Sequence, residues 1–307
     1  MLQKKAEEQI NRLLEKINYN DPKILSAYPI ENYISELEKY PKTAHYRFIS
    51  KRVKSICQNI ITLSNQEILE LYHMLLLSKL IKASIKIDRI SKYPQKIQTL
   101  IKRDFEKILN RISRYNTCTG HYLYENDKFY KDLAISQVKM IPLGAEKVSI
   151  GRLSRVFPFK GGIKQFLLGS KIILLDMKGF EPVFHIHMDT KDTDLLKEFN
   201  PKGWYNFYLL LAELLKMDKS IKGATGTSWF FDPALKNISP ELNYLREIAL
   251  QCGAHIFYMD QNESAISKAT FMSKKRLEMY KNGSYTPTNY ITVIPREKLL
   301  KWASRNN

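Results

Sequence analysis

Apolar residues in the first 140 positions recur every three or four residues; after about residue 143 they do not. The early pattern is plain in Ile10, Leu13, Leu14 and Ile17, again in Ile61, Leu63, Ile68, Leu69, Leu71, Leu75 and Leu76, and again in Ile97, Leu100, Ile101, Phe105, Ile108 and Ile112. Spacing of this kind puts apolar side chains on one face of a helix, so residues 1–142 are expected to form a helical region. Asn20-Asp21-Pro22 and Ser64-Asn65-Gln66-Glu67 supply capping signals at its joints. From 143 to 307 glycines punctuate short β-type runs, and an α+β domain is expected. Within it, Lys171–Met177 and Val183–Met188 read as a hairpin, followed by a helix from Asn200-Pro201 and a strand around Ala224–Phe231. A helix from Ser239-Pro240, a strand at His255–Met259, a helical stretch near Lys274–Lys281, a strand at Asn289–Ile294 and a closing helix at Arg296–Ala303 complete the reading.

Composition narrows the class of protein. No run of 18 apolar residues occurs, so a transmembrane helix is not expected. The amino terminus, Met1 to Glu8, has no apolar core of the signal-peptide kind, and a cytoplasmic protein is the expectation. Cys57, Cys118 and Cys252 lack metal-type spacing and read as three core thiols. A net charge of +18, from 49 Lys and Arg against 31 Asp and Glu, favours anionic partners. Lys79, Lys82, Lys86, Arg89, Lys92 and Lys96 mark a basic helical stretch through which nucleic acid or an anionic membrane can be held.

The sharpest chemical signal is Phe184-His185-Ile186-His187-Met188-Asp189. In a strand, alternate side chains share a face, so His185, His187 and Asp189 stand together, opposite Phe184, Ile186 and Met188. That face offers a base able to titrate near neutral pH and a carboxylate to orient it. Two other readings stay open. The histidines can be hydrogen-bonded inside a sheet, or the His-x-His-x-Asp strand, with His255 as a distant partner, can hold a metal ion. No metal is expected, since a convincing third or fourth ligand is lacking. A second cluster, Gly223 to Pro233, contributes Thr227, Ser228, Trp229 and Asp232 as candidate substrate-binding residues. Ser228 is not in a Gly-x-Ser-x-Gly elbow. Lys274, Lys275 and Arg276, interleaved with aromatic residues downstream, are candidate phosphate-binding groups.

The order hairpin, helix, strand, helix, strand, long connection, strand over residues 170–295 resembles the carboxy-terminal part of the Gcn5-related N-acetyltransferase fold. The resemblance implies a mixed-sheet acyltransferase-like domain, an acyl-CoA donor and an amine or other small-molecule substrate. It also implies a tyrosine on the helix after the family's fifth strand that protonates the departing thiolate, for which Tyr244 is the nearest match. The family's glycine-rich pyrophosphate turn is absent, because Lys191 to Gly203 carries three acids, Asp192, Asp194 and Glu198, instead. The expectation is therefore an acyl-CoA-dependent N-acyltransferase-like enzyme of unassigned substrate, with His185, His187, Asp189 and Tyr244 as catalytic candidates. The first rival is a non-enzymatic protein binding nucleic acid, an acidic membrane or a host partner through its basic helices; the second is a metal-dependent enzyme.

Overall fold

The structure is a computed structural model that describes residues 1–115, 118–187, 196–271 and 273–306. The chain divides into two compact units, Met1–Pro142 and Leu143–Asn307.

The first unit holds helices α1 (Leu2–Asn20), α2 (Ile30–Glu38), α3 (Lys51–Leu63), α4 (Gln66–Lys86), α5 (Gln95–Ser113) and α6 (Asp127–Ser136), then the short strand β1 (Met140–Pro142). Helix α4 is buried on all sides over Ile68–Ser78, without a break, so it forms the axis of the unit rather than an amphipathic surface helix. Its first turn is capped by Asn65, whose side chain accepts from Ile68 N–H at 2.9 Å. Three cations of the basic stretch are already neutralised: Lys79 pairs with Glu31, Lys82 with Glu7 at 3.2 Å and Arg89 with Glu38 at 3.0 Å. Of the three thiols read as core, Cys57 and Cys252 are buried and Cys118 is exposed. Cys118 donates instead to the buried carboxylate of Glu70 at 2.9 Å.

The second unit contains β2 (Lys147–Arg152), α7 (Gly162–Lys171), β3 (Pro182–His187), α8 (Pro201–Met217), β4 (Gly223–Ser228), α9 (Asn243–Gln251), β5 (His255–Asp260), α10 (Glu263–Thr270), α11 (Lys274–Lys281), β6 (Asn289–Pro295) and α12 (Arg296–Ser304). The sheet of this unit is mixed, with order β2-β3-β4-β6-β5. Strand β3 pairs antiparallel with β2 and parallel with β4, through Phe184–Ala224 and His185–Thr225; β6 lies antiparallel to both β4 and β5. One face of the sheet, through Val183, Phe257, Ile291 and Val293, is covered by Phe157, Ile172, Ile173 and Met177. Residues of the opposite face, Val148, Phe184, Ile186, Ala224 and Ile294, are buried as well.

The expected hairpin is corrected. Lys171–Met177 is not a strand: α7 runs into a single π turn at Ile172–Asp176, and the antiparallel partner of β3 is β2. A short apolar run such as Ile172–Leu175 satisfies a strand and a buried helical turn equally well, and only the sheet register separates them. The run expected as a strand to Phe231 ends at Ser228, where the chain turns into a 3₁₀ turn, Trp229–Phe231, and a further helix, α10, precedes the expected helical stretch at Lys274–Lys281.

Candidate functional site

The alternation in β3 places His185 and His187 on one face, and the register shows what they meet. Ser149 is the Cα partner of His185, and Lys147 that of His187. The Ser149 Oγ lies 2.7 Å from His187 Nε2. This contact fixes the orientation of the ring. His185 is held differently: its Nε2–H donates to the Arg152 carbonyl at 2.8 Å, and its ring lies where a Cβ on Gly151 would stand. Burial pushes the His185 imidazole below the usual histidine range, only partly offset by the Arg152 carbonyl, so the ring is neutral at pH 7 with the proton on Nε2. Glycine at 151 is required by this stacking, since a side chain there collides with the ring.

This group sits at the carboxyl end of β3, beside the equivalent end of β4, where exposed Thr227 is found. In mixed and parallel sheets, crevices for ligands form outside the carboxyl ends of parallel strands, because the connecting loops diverge there. Asp189 and most of the polar connection after β3 lie outside the described residues. The connection re-enters at Leu196 and ends at Asn200, whose side chain accepts from Gly203 N–H at 2.9 Å and caps α8.

The remaining candidates have other duties. Ser228 is buried and caps the 3₁₀ turn by accepting from Phe230 N–H at 3.2 Å. Trp229 is buried between Phe230, with ring centroids 4.2 Å apart, and the Arg276 guanidinium at 4.8 Å. Asp232 accepts from Ala234 N–H at 2.9 Å, Tyr285 Oη at 3.2 Å and Thr288 N–H at 3.3 Å, which ties the turn after β4 to the chain entering β6. Burial pushes its carboxyl up from the usual range, and these three donors pull it back. Arg276 donates to the Ala269 carbonyl at 2.6 Å and Ser239 Oγ at 2.8 Å, and Lys275 to the Ile238 carbonyl at 2.8 Å. Arg276 thus acts as an internal brace rather than part of an open phosphate cradle; Lys274 and Lys275 are exposed, with the Lys275 ammonium on that carbonyl. Tyr244, on α9, has a buried Oη without a hydrogen-bond partner among the described residues. Burial, with Glu146 as a lesser cause, pushes its phenol up to about 12.

The metal reading with His255 meets a geometric obstacle. His185, Thr225, Val293 and His255 form one row across β3, β4, β6 and β5. Three strand spacings put the two histidines about 14 Å apart, too far to share an ion. His255 instead contacts Lys298 Nζ at 2.5 Å, and both approach Asp176, at 4.0 and 3.6 Å. Among the described residues no three His, Cys, Asp or Glu side chains are grouped to hold a metal.

Sequence reasoning passed over Ser149 and Lys147. Their signal was available: Lys147, Ser149 and Gly151 alternate as His185 and His187 do, and a strand carrying that pattern is suited to pair with β3. Comparison of the chain with protein-family models, with curated proteins and with solved structures gives no match.

Proposed function

We propose that the carboxy-terminal unit is an acyltransferase-like enzyme that moves an acyl group from a thioester donor to an amine, with His187 as general base. The observation that carries this reading is the 2.7 Å contact between Ser149 Oγ and His187 Nε2 at the carboxyl end of β3, beside a parallel neighbour. The succession β3, α8, β4, α9, β5, a helical connection and β6 supports it, being the order on which the resemblance to Gcn5-related N-acetyltransferases rests once the rejected opening hairpin is set aside.

In the proposed reaction, the amine nitrogen attacks the thioester carbonyl as His187 accepts its proton. A C–N bond forms, the C–S bond breaks, and the thiolate leaves and is protonated. Ser149 holds the imidazole in place. Tyr244, the source of the thiolate's proton that the resemblance implies, has to be uncovered on substrate binding to play that part, since its Oη is buried. The donor's phosphates are not held in the family's usual way, because Asn200 already occupies the Gly203 N–H at the start of α8.

The test is release of free CoA from acetyl-CoA in the presence of a panel of polyamines, aminoglycosides and lysine peptides, with binding of desulfo-CoA followed by calorimetry. Turnover that falls about 10²–10⁴-fold in His187→Gln, with the melting temperature nearly unchanged, supports the reading. Absence of both desulfo-CoA binding and CoA release with every acceptor overturns the acyl-CoA assignment.

A further inference from the structure

The segment from Phe157 through α7 and the π turn that follows it carries apolar residues on two sides. Phe157, Ile172, Ile173 and Met177 face the sheet and are buried. Gly169 fixes that orientation, since a side chain there would meet the Phe157 ring at 3.1 Å and Pro158 at 3.3 Å. The outward side carries Phe159, Ile163, Leu167, Leu168, Leu174 and Leu175, at 70%, 69%, 61%, 46%, 69% and 66% exposure. An exposed apolar face of this extent marks an interaction surface.

Charge identifies what meets it. Between residues 152 and 181 the cations are Arg152, Arg155, Lys160, Lys164, Lys171 and Lys178, and the acids are Asp176 and Glu181. All six cations are exposed. Asp176 is already engaged by Lys298 at 3.6 Å. Lys160, Lys164 and Lys171 alternate along the chain with the outward apolar residues, so their long stems can run beside that face while their ammonium groups stay in water. An apolar helical face interleaved with lysine, too short to span a bilayer, has the make-up of a helix lying in the plane of a membrane interface.

We propose that residues 155–180 dock this protein on an anionic lipid surface, the apolar side chains entering the headgroup boundary and the lysines meeting lipid phosphates and carboxylates. The proposal stands independently of the transferase reading.

Co-sedimentation of the full chain with vesicles tests it. Vesicles of phosphatidylcholine containing roughly a third phosphatidylserine should bind the protein at least about tenfold more tightly than phosphatidylcholine alone, and salt should weaken the difference. The triple variant Phe159→Ser, Leu167→Ser, Leu174→Ser keeps the net charge and removes only exposed apolar groups. It should retain its fold by circular dichroism and lose binding by at least about tenfold. Lys160→Glu, Lys164→Glu and Lys171→Glu together should abolish the preference for phosphatidylserine. Undiminished binding by the serine variant would show diffuse attraction from net charge and overturn the proposal. Wild-type protein that ignores both vesicles, or that forms dimers which the serine variant dissolves while lipid binding is absent, would equally overturn it.

Discussion

At the scale of single residues, the histidines sit in contrasting environments. His73 is fully buried, stacked on Phe129 at 4.5 Å, with Nε2 3.3 Å from Tyr33 Oη. Burial pushes its pKa down to about 4, the Tyr122 carbonyl opposing only in part. The consequence for stability has a definite sign. Below about pH 6.5 the unfolded chain binds a proton that the native one refuses until about pH 4, so this contribution is complete above 6.5 and lost as pH falls through that window. Denaturant unfolding should show a loss on the order of 3 kcal/mol from this group between pH 7 and 4. His73→Gln should be less stable at pH 7 but visibly flatter with pH, and an unchanged slope would refute the assignment. His187 is different, because Ser149 holds it at a strand end. Ser149→Ala should lower proposed turnover by about tenfold or more through misplacement of the ring, while shifting stability by no more than about 1 kcal/mol.

At the scale of elements, the joints carry more specificity than the runs between them. Helix α8 begins where Asn200 caps Gly203 N–H, and a Cβ at Gly203 would collide with the Glu198 carbonyl. Gly203→Ala is therefore expected to destabilise the carboxy-terminal unit by about 2 kcal/mol or more, although alanine is ordinarily the better helix former. Thermal unfolding checks this; a neutral or stabilising result would mean that the chain before α8 yields freely. Asn65→Ala at the start of α4 should cost about 1 kcal/mol, the ordinary worth of a side-chain cap. Both positions were legible in the sequence as cap signals, since Asn-Pro and Ser-Asn-Gln-Glu state their local chemistry directly. Residues 172–175 were not legible in this way, because their apolar pattern fits helix and strand alike and β2 had to be found before the hairpin could be rejected.

At the scale of the whole molecule, a net charge of +18 is distributed less simply than the run of lysines suggests. Lys79, Lys82 and Arg89 are each spent on a glutamate of α1 or α2. Long-range attraction to polyanions should consequently come from the charge as a whole. Reversing Lys79, Lys82 and Arg89 to glutamate should change the salt dependence of heparin or DNA binding no more than reversing Lys216, Lys219 and Lys236. A markedly flatter slope for the first set alone would restore a specific phosphate-binding stripe on the helices.

Periodicity alone carried the α+β class, the helical amino-terminal region, the want of any described helix long and apolar enough to cross a membrane, and the shared face of His185 and His187. These follow from local rules, because 3.6-residue and two-residue repeats state which side chains share a surface. Tertiary structure decided what each surface meets. The partnership of Ser149 with His187 depends on β2 lying antiparallel to β3, and the internal bracing by Arg276 depends on a tryptophan 47 positions away. Glutamates from two other helices had to be brought to α4 before its lysines could be counted as neutralised. Each of these is a contact between residues distant in sequence, which the chain's local pattern does not encode and only the closed fold brings within reach.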